Sequence, residues 1–193
     1  MRVIGGDSKG RKLATQRGQR IRPTSDRVKE SIFNILGDEV KGKIVLDLFA
    51  GIGNLGVEAL SRGAERVVFV EKGRQAVRLI QRNVAQCGME GQTEILATDA
   101  HRAIGILCRK GTVFDLILMD PPYERGLVER TFMKLRAQRI HHPDSMLVVE
   151  HSRREPLSDQ VEGWDLIRQR EIGDTVLSFL VAKAWIPPVE RES

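Results

Sequence analysis

Asp120-Pro121-Pro122-Tyr123 brings together two hydrogen-bond acceptors and a flat ring within four residues. The tetrapeptide follows Phe114–Met119, a largely apolar run that reads as a buried strand. The two prolines fix φ and remove two backbone donors, so the nearby carbonyls are rigidly aimed and lack competing N–H neighbours. Asp120 adds a carboxylate acceptor. Tyr123 is the single tyrosine of the chain and offers a face for stacking. Two acceptors beside a stacking plate suit a planar substrate with an exocyclic NH2, such as adenine, cytosine or guanine. The competing reading is an ordinary turn, because Asp-Pro and Pro-Pro are common turn formers.

Further acids fall at the ends of other apolar runs. Asp47-Leu48-Phe49-Ala50-Gly51-Ile52-Gly53-Asn54-Leu55-Gly56 follows one, Glu71-Lys72 a second and Asp99-Ala100 a third. In a doubly wound sheet, ligands bind beyond the carboxyl ends of the strands, so these segments would meet in one crevice. Carboxylates gathered there repel one another unless a ligand or protein donor offsets them. Gly51-x-Gly53-x-x-Gly56 also matches the dinucleotide fingerprint, and Glu71 lies 20 residues after Gly51, where a ribose-binding acid is expected. A nicotinamide or flavin enzyme is therefore one reading. Asp47 and Asp99 count against it, because acids oppose a bound pyrophosphate. A ligand carrying a sulfonium, an ammonium, a ribose and an adenine fits the acids better, and S-adenosylmethionine is such a ligand.

The elements that must position these residues alternate. Thr24 or Ser25 can cap a first helix whose apolar stripe is Val28, Ile32, Phe33, Ile35 and Leu36. Strands are expected at 44–48, 66–70, 94–97, 114–119 and 146–150, with helices at about 55–61, 74–87, 100–109 and 127–138 between them. This order predicts a parallel sheet covered by helices on both faces. The last two extended runs, 164–171 and 175–184, are joined by Gly173-Asp174 and read as an antiparallel hairpin at the sheet edge. Residues 1–23 are read as a basic arm containing a short β-hairpin, 24–186 as the catalytic domain and 187–193 as a loose tail.

The chain has 193 residues, enough for one full-sized core, and a net charge of +5. The charge is uneven. Residues 1–29 hold nine Lys/Arg against Asp7 and Asp26, a net of +7, while the remaining residues net −2. A basic arm on a near-neutral body is the footprint expected for a polyanion. Lys9, Arg11, Lys12, Arg20 and Arg22 are the candidate phosphate contacts; Thr24 and Arg27 can face substrate or cofactor, or serve in capping and surface pairing. Cys87 and Cys108 have no metal or redox spacing and fit reduced thiols in a cytoplasm. The four histidines pair with no cysteine or acid at ligand spacing, so no metal is expected. There is no signal-like or membrane-spanning apolar run.

Taken in order, the Asp-Leu-Phe-Ala-Gly-x-Gly turn, Glu71, Asp99 and Asp-Pro-Pro-Tyr resemble a class I S-adenosylmethionine-dependent amino-methyltransferase. Ile4-Gly5-Gly6, Gly10-Arg11-Lys12-Leu13, Arg22-Pro23-Thr24 and Arg27-Val28-Lys29-Glu30-Ser31-Ile32-Phe33-Asn34 resemble the N-terminal segment of the RsmD family, bacterial small-subunit 16S ribosomal RNA guanine-N2 methyltransferases. The resemblance covers nearly the whole chain. Ile52 and Asn54 depart from it, standing where small residues are more usual. The resemblance implies a Rossmann-like, seven-stranded, mostly parallel α/β sheet with one antiparallel strand from the final hairpin.

It also implies roles. Glu71 would accept both ribose hydroxyls, with Lys72 beside it. Asp99 would accept from the adenine amino group near the Ala100 backbone. Gly51 and Gly53 would admit the methionine moiety close to the main chain, and Asp47 would lie near its ammonium. Phe49 would contact cofactor or pack in the core. Asp120 and the carbonyl of Pro121, held by Pro122, would accept from the two N–H groups of the target amine, and Tyr123 would stack on a base taken out of its helix. On the stacking reading, phenylalanine should largely replace Tyr123. The expected partner is 16S ribosomal RNA, within a 30S subunit or assembly intermediate, bound by a monomer. The first alternative is an adenine-N6 DNA methyltransferase using the same tetrapeptide, but 193 residues leave no separate domain to read DNA sequence. A nicotinamide oxidoreductase and a noncatalytic RNA-binding protein are the other two.

Overall fold

The computed structural model describes residues 1–15, 26–123, 125–157, 161 and 163–184. Arg20, Arg22, Thr24 and the tail at 187–193 lie outside the described residues. After α1 (Asp26–Leu36), strands and helices alternate as β1 (Ile44–Leu48), α2 (Asn54–Ser61), β2 (Arg66–Val70), α3 (Arg74–Cys87), β3 (Thr93–Leu96), α4 (Ala100–Arg109), β4 (Phe114–Met119), α5 (Leu127–Ala137) and β5 (His141–Ser152). Two strands, β6 (Trp164–Ile172) and β7 (Thr175–Ala182), close the chain. They form one seven-stranded sheet in the order β3-β2-β1-β4-β5-β7-β6. All pairs from β3 to β5 are parallel, and β7 runs antiparallel to both of its neighbours. This is the Rossmann-like class I methyltransferase architecture.

The strand sequences explain the layering. Val45, Leu46, Val67, Val68, Phe69, Leu116, Ile117 and Leu118 are all buried, as expected when both faces of a parallel sheet are covered. One apolar layer joins α1, α2 and α3 to one face of the sheet; the other joins α4 and α5 to the opposite face. No helix among the described residues is long and apolar enough to cross a membrane.

The N-terminal arm is docked against the sheet domain. Arg2 and Lys12 form an antiparallel bridge, and Val3 and Leu13 enter the same core layer as α1 and α2. Gly5 and Gly6 do more than turn the chain. A Cβ on Gly6, whose φ is +71°, would lie 1.6 Å from the Ser61 carbonyl oxygen. Only glycine permits that approach, which lets the Asp7 N–H donate to the Ser61 carbonyl at 2.8 Å.

Beneath the arm lies a buried ionic cluster. Glu58 and Lys29 are both fully buried, 3.3 Å apart. Glu58 also accepts from the Ile4 and Gly5 N–H groups, each at 2.8 Å, and from Arg62 Nε at 2.8 Å. Lys29 donates to the Arg2 carbonyl and, at 2.7 Å, to Asn54 Oδ1. Burial pulls the Lys29 ammonium below its ordinary pKa, and the neighbouring Glu58 carboxylate opposes that shift. A buried charge pair survives only when its remaining donors and acceptors are also satisfied, and here the arm backbone supplies them. Asn54, a departure from the family resemblance, is thus an acceptor for the buried lysine.

Candidate active site

The sheet register brings the acids level. Leu48 pairs with Val70 on one side and Met119 on the other, and Val70 pairs with Leu96. Glu71 and Asp120 are the next residues on their strands, and Asp47 stands one residue before the end of β1. Strand order reverses at β1, between β2 and β4, and opens the crevice there.

Asp47 is 1% exposed. Its Oδ2 accepts from the Gly56 N–H at 2.9 Å. Burial raises its pKa from 3.8 to about 8, against the pull of that N–H, and the carboxylates of Asp120 and Glu71 push it higher. A buried carboxyl so disposed favours its protonated form, and a cation brought beside it would draw the proton off. Gly56 shows why the turn ends in glycine: a Cβ there would sit 2.3 Å from the Phe69 ring, so α2 packs on β2 at a distance only glycine allows.

Glu71 is held from both sides. Gly51 N–H donates to Oε2 at 2.9 Å and Gly73 N–H to Oε1 at 2.6 Å. Each oxygen keeps further acceptor capacity, so two vicinal hydroxyls could be received by a carboxylate already oriented. Lys72 beside it is exposed. Gly51 and Gly53 have φ of +57° and +79°, and the Cβ position of Gly51 meets nothing within 4 Å. The Cβ position of Gly53 instead meets Phe69 at 3.2 Å and Ile80 at 3.3 Å, so the turn is an open backbone cradle at Gly51 and is packed on the core at Gly53. Phe49 also has positive φ, +63°, a conformation that costs a non-glycine residue on the order of 1–3 kcal/mol. Its ring is half-buried against the core layer of α4 and α5.

Asp99 is the N-cap of α4 and accepts from the Arg102 N–H at 3.0 Å; Ala100 is buried at the first turn. Asp120 is half-buried and Pro121 buried, whereas Pro122 is exposed. Tyr123 is half-buried, and its hydroxyl is engaged. It donates to Glu150 Oε1 at 2.8 Å and lies 3.1 Å from Thr175 Oγ1. Burial raises the phenol pKa further, with Thr175 opposing and Glu150 reinforcing the shift. The hydroxyl fixes the ring to β5 and β7. The expectation that phenylalanine largely replaces Tyr123 therefore gives way: the ring would lose both polar anchors, and Glu150 would lose a donor.

The basic candidates separate. Lys9 and Lys12 are exposed on the docked arm. Arg11 is exposed too, but its guanidinium donates to the Gln86 carbonyl on α3, tying the arm down. Arg27 lies on the exposed side of α1. Asn83, fully buried, joins arm to crevice: it accepts from the Ala14 N–H at 2.7 Å and donates to the Ile52 carbonyl at 2.9 Å. Asn83, Glu150 and Thr175 carry no motif. A polar residue at a buried position of α3 or at a strand end is the only trace they leave in the sequence.

Known proteins resemble this chain in sequence and fold. A family model described as conserved hypothetical protein 95 matches residues 1–181. YlbH of Bacillus subtilis is 37% identical over 175 residues, covering 91% of this chain and 95% of its own. Ribosomal RNA small subunit methyltransferase D of Escherichia coli is 34% identical over 173 residues, covering 90% of this chain and 85% of its own. The solved structure of yhhF from Escherichia coli superposes with a TM-score of 0.84 at 30% identity, covering 96% of this chain and 99% of that one. With its sheet order, strand-end turn and near full-length match, the chain belongs to this family, the RsmD family, and is a methyltransferase.

Proposed function

We propose that the protein methylates the exocyclic N2 of a guanine in 16S ribosomal RNA, using S-adenosylmethionine, on a base turned out of its helix. The observation that carries this reading is the convergence of Asp47, Glu71 and Asp120 at the level carboxyl ends of three adjacent strands, beside an anchored Tyr123. The ligand fits these residues: a buried carboxyl waiting for a cation, a carboxylate oriented for two hydroxyls and an open glycine cradle. S-adenosylmethionine supplies an electrophilic methyl group when bound.

The chain's own residues do the rest. Glu71 receives ribose hydroxyls, Asp99 the adenine amino group and Asp47 the ammonium end; Phe49, Lys72 and Ala100 border them. An aryl amine is a weak nucleophile because its lone pair is delocalised into the ring. Acceptance of its two N–H bonds by Asp120 and the Pro121 carbonyl biases the nitrogen toward tetrahedral geometry and aims the lone pair. Positioning and charge stabilisation then supply the acceleration. The proton leaves the amine for Asp120 or for water. Tyr123 stacks on the base.

Lys9, Lys12 and Arg27 contact RNA phosphates, with Arg11, Arg20, Arg22 and Thr24 as further candidates. The arm, residues 1–23, acts as the RNA-binding extension of a catalytic unit spanning 24–186. The RNA is met within a 30S particle by a monomer in the cytoplasm. The test is methyl transfer from labelled S-adenosylmethionine to unmethylated 30S particles, naked 16S RNA and DNA. Label in ribosomal RNA supports the reading; label confined to DNA as N6-methyladenine contradicts it.

A further inference from the structure

The edge strand β6 is exposed from Asp165 through Glu171, an unusual state for seven consecutive strand residues. Between it and α1 runs a groove of about 430 Å³ outside the crevice. On the α1 side it is walled by Arg27, Glu30, Ser31, Asn34 and Ile35, a second helical stripe beside the buried one formed by Val28, Ile32 and Leu36. Arg168, Arg170, Glu171 and Ile172 form the β6 wall. Arg168, Arg170 and Ile172 alternate along the strand and so share one face of the sheet.

The groove sets Arg27, Arg168 and Arg170 against Glu30 and Glu171, a net charge of +1. Glu171 is paired with Arg153. Arg27, Arg168 and Arg170 form no ion pair among the described residues. The Ser31 hydroxyl oxygen is buried and finds no hydrogen-bond partner among the described residues. With Glu171 held by Arg153, three guanidinium groups face a single remaining carboxylate, Glu30, with serine and asparagine between them, an excess of donors that suits the phosphate backbone of a nucleic acid strand. One end of the groove is linked to the candidate site through the sheet. Its last β6 residue, Ile172, pairs with Thr175, and Thr175 Oγ1 lies 3.1 Å from the Tyr123 hydroxyl.

The geometry points to a second RNA contact: the α1–β6 groove holds the phosphate backbone of the strand flanking the target base. This rests on the RNA reading above and extends the footprint from the N-terminal arm to the far edge of the sheet. The other explanation for arginines on an edge strand is protection against edge-to-edge pairing. That role would survive with any charged residue and would not alter RNA affinity.

The experiment compares the wild-type chain with Arg168→Ala/Arg170→Ala and with Arg168→Lys/Arg170→Lys, using unmethylated 30S particles and naked 16S RNA. The alanine variant is expected to raise the KM for RNA about tenfold and to reduce the slope of log affinity against log salt by about 2. The effect falls on KM, with S-adenosylmethionine affinity by calorimetry unaltered. The lysine variant should recover the salt slope. An alanine variant with wild-type KM and salt slope overturns the groove while leaving the methylation reading intact. So does a fall in kcat at unchanged KM, which would mark a structural role. A wild-type chain that transfers no methyl to either RNA overturns both.

Discussion

The Tyr123 hydroxyl donates to Glu150 Oε1 at 2.8 Å, linking the residue after the paired prolines to the interior of β5. Thr175, at the start of β7, stands 3.1 Å away on the same hydroxyl. The antiparallel strand that distinguishes this sheet is thereby coupled to the substrate side of the crevice. These contacts fix the plane of the ring at both strands, as the proposed stacking on a base requires.

Tyr123→Phe is expected to lower kcat/KM about tenfold or more, since a buried acceptor that loses its donor costs about 1–3 kcal/mol. Tyr123→Ala should be worse, because base stacking worth a further 1–3 kcal/mol is also lost. Steady-state kinetics on RNA substrate checks the order. A phenylalanine variant equal to wild type would mean that the ring alone is used.

Asp47 gives the ligand-free protein a pH signature. Its folded pKa, about 8, lies above the ordinary 3.8, so the folded state holds the proton more tightly than the unfolded chain. Its contribution to stability is fully present below pH 4 and is lost as pH rises through 8. Urea denaturation between pH 6 and 9 should show a fall that Asp47→Asn flattens. At pH 7, binding of a cationic ligand should release about one proton, read from calorimetry in buffers of different ionisation enthalpy. Asp47→Asn should abolish that release and weaken S-adenosylmethionine binding. Proton release unchanged in the variant would place the titrating group elsewhere.

The ionic cluster under the arm should be asymmetric in its response. Glu58→Leu strands the Lys29 ammonium and removes the acceptor for Ile4, Gly5 and Arg62. It is expected to cost about 3–5 kcal/mol. Lys29→Met leaves Glu58 with Arg62 and two backbone donors and should cost less. Denaturant titration measures both; the reverse order would show that Lys29, not Glu58, organises the docked arm.

The backbone plan was legible because periodicity and punctuation agree. The 74–87 and 100–109 helices and the Gly173-Asp174 hairpin appear at the expected residues. β5 was not read in full: it begins at His141, five residues early, because His141 pairs with Phe114 before a register shift, after which the ladder resumes at Leu116 and Met146. The acids at the strand ends were legible as types at fixed positions, and the register brings Glu71 and Asp120 level. What sequence concealed are groups whose meaning depends on a distant element. Lys29 shares a helical stripe with Phe33 and Leu36, and Glu58 shares one with Asn54 and Ser61 on an otherwise apolar helix; neither pattern names the partner. Glu150 and Thr175 meet Tyr123 only across the sheet. Arg168 and Arg170 belong to no motif, and only the structure sets α1 opposite them.

The most direct measurement is nucleoside analysis of unmethylated 30S particles after reaction with the wild-type chain and with Asp120→Ala. N2-methylguanosine in 16S RNA with wild type, lost with Asp120→Ala while S-adenosylmethionine still binds, is the expected result. A different modified nucleoside, or undiminished N2-methylguanosine with the variant, would contradict the assignment of the strand-end acid to the target amine.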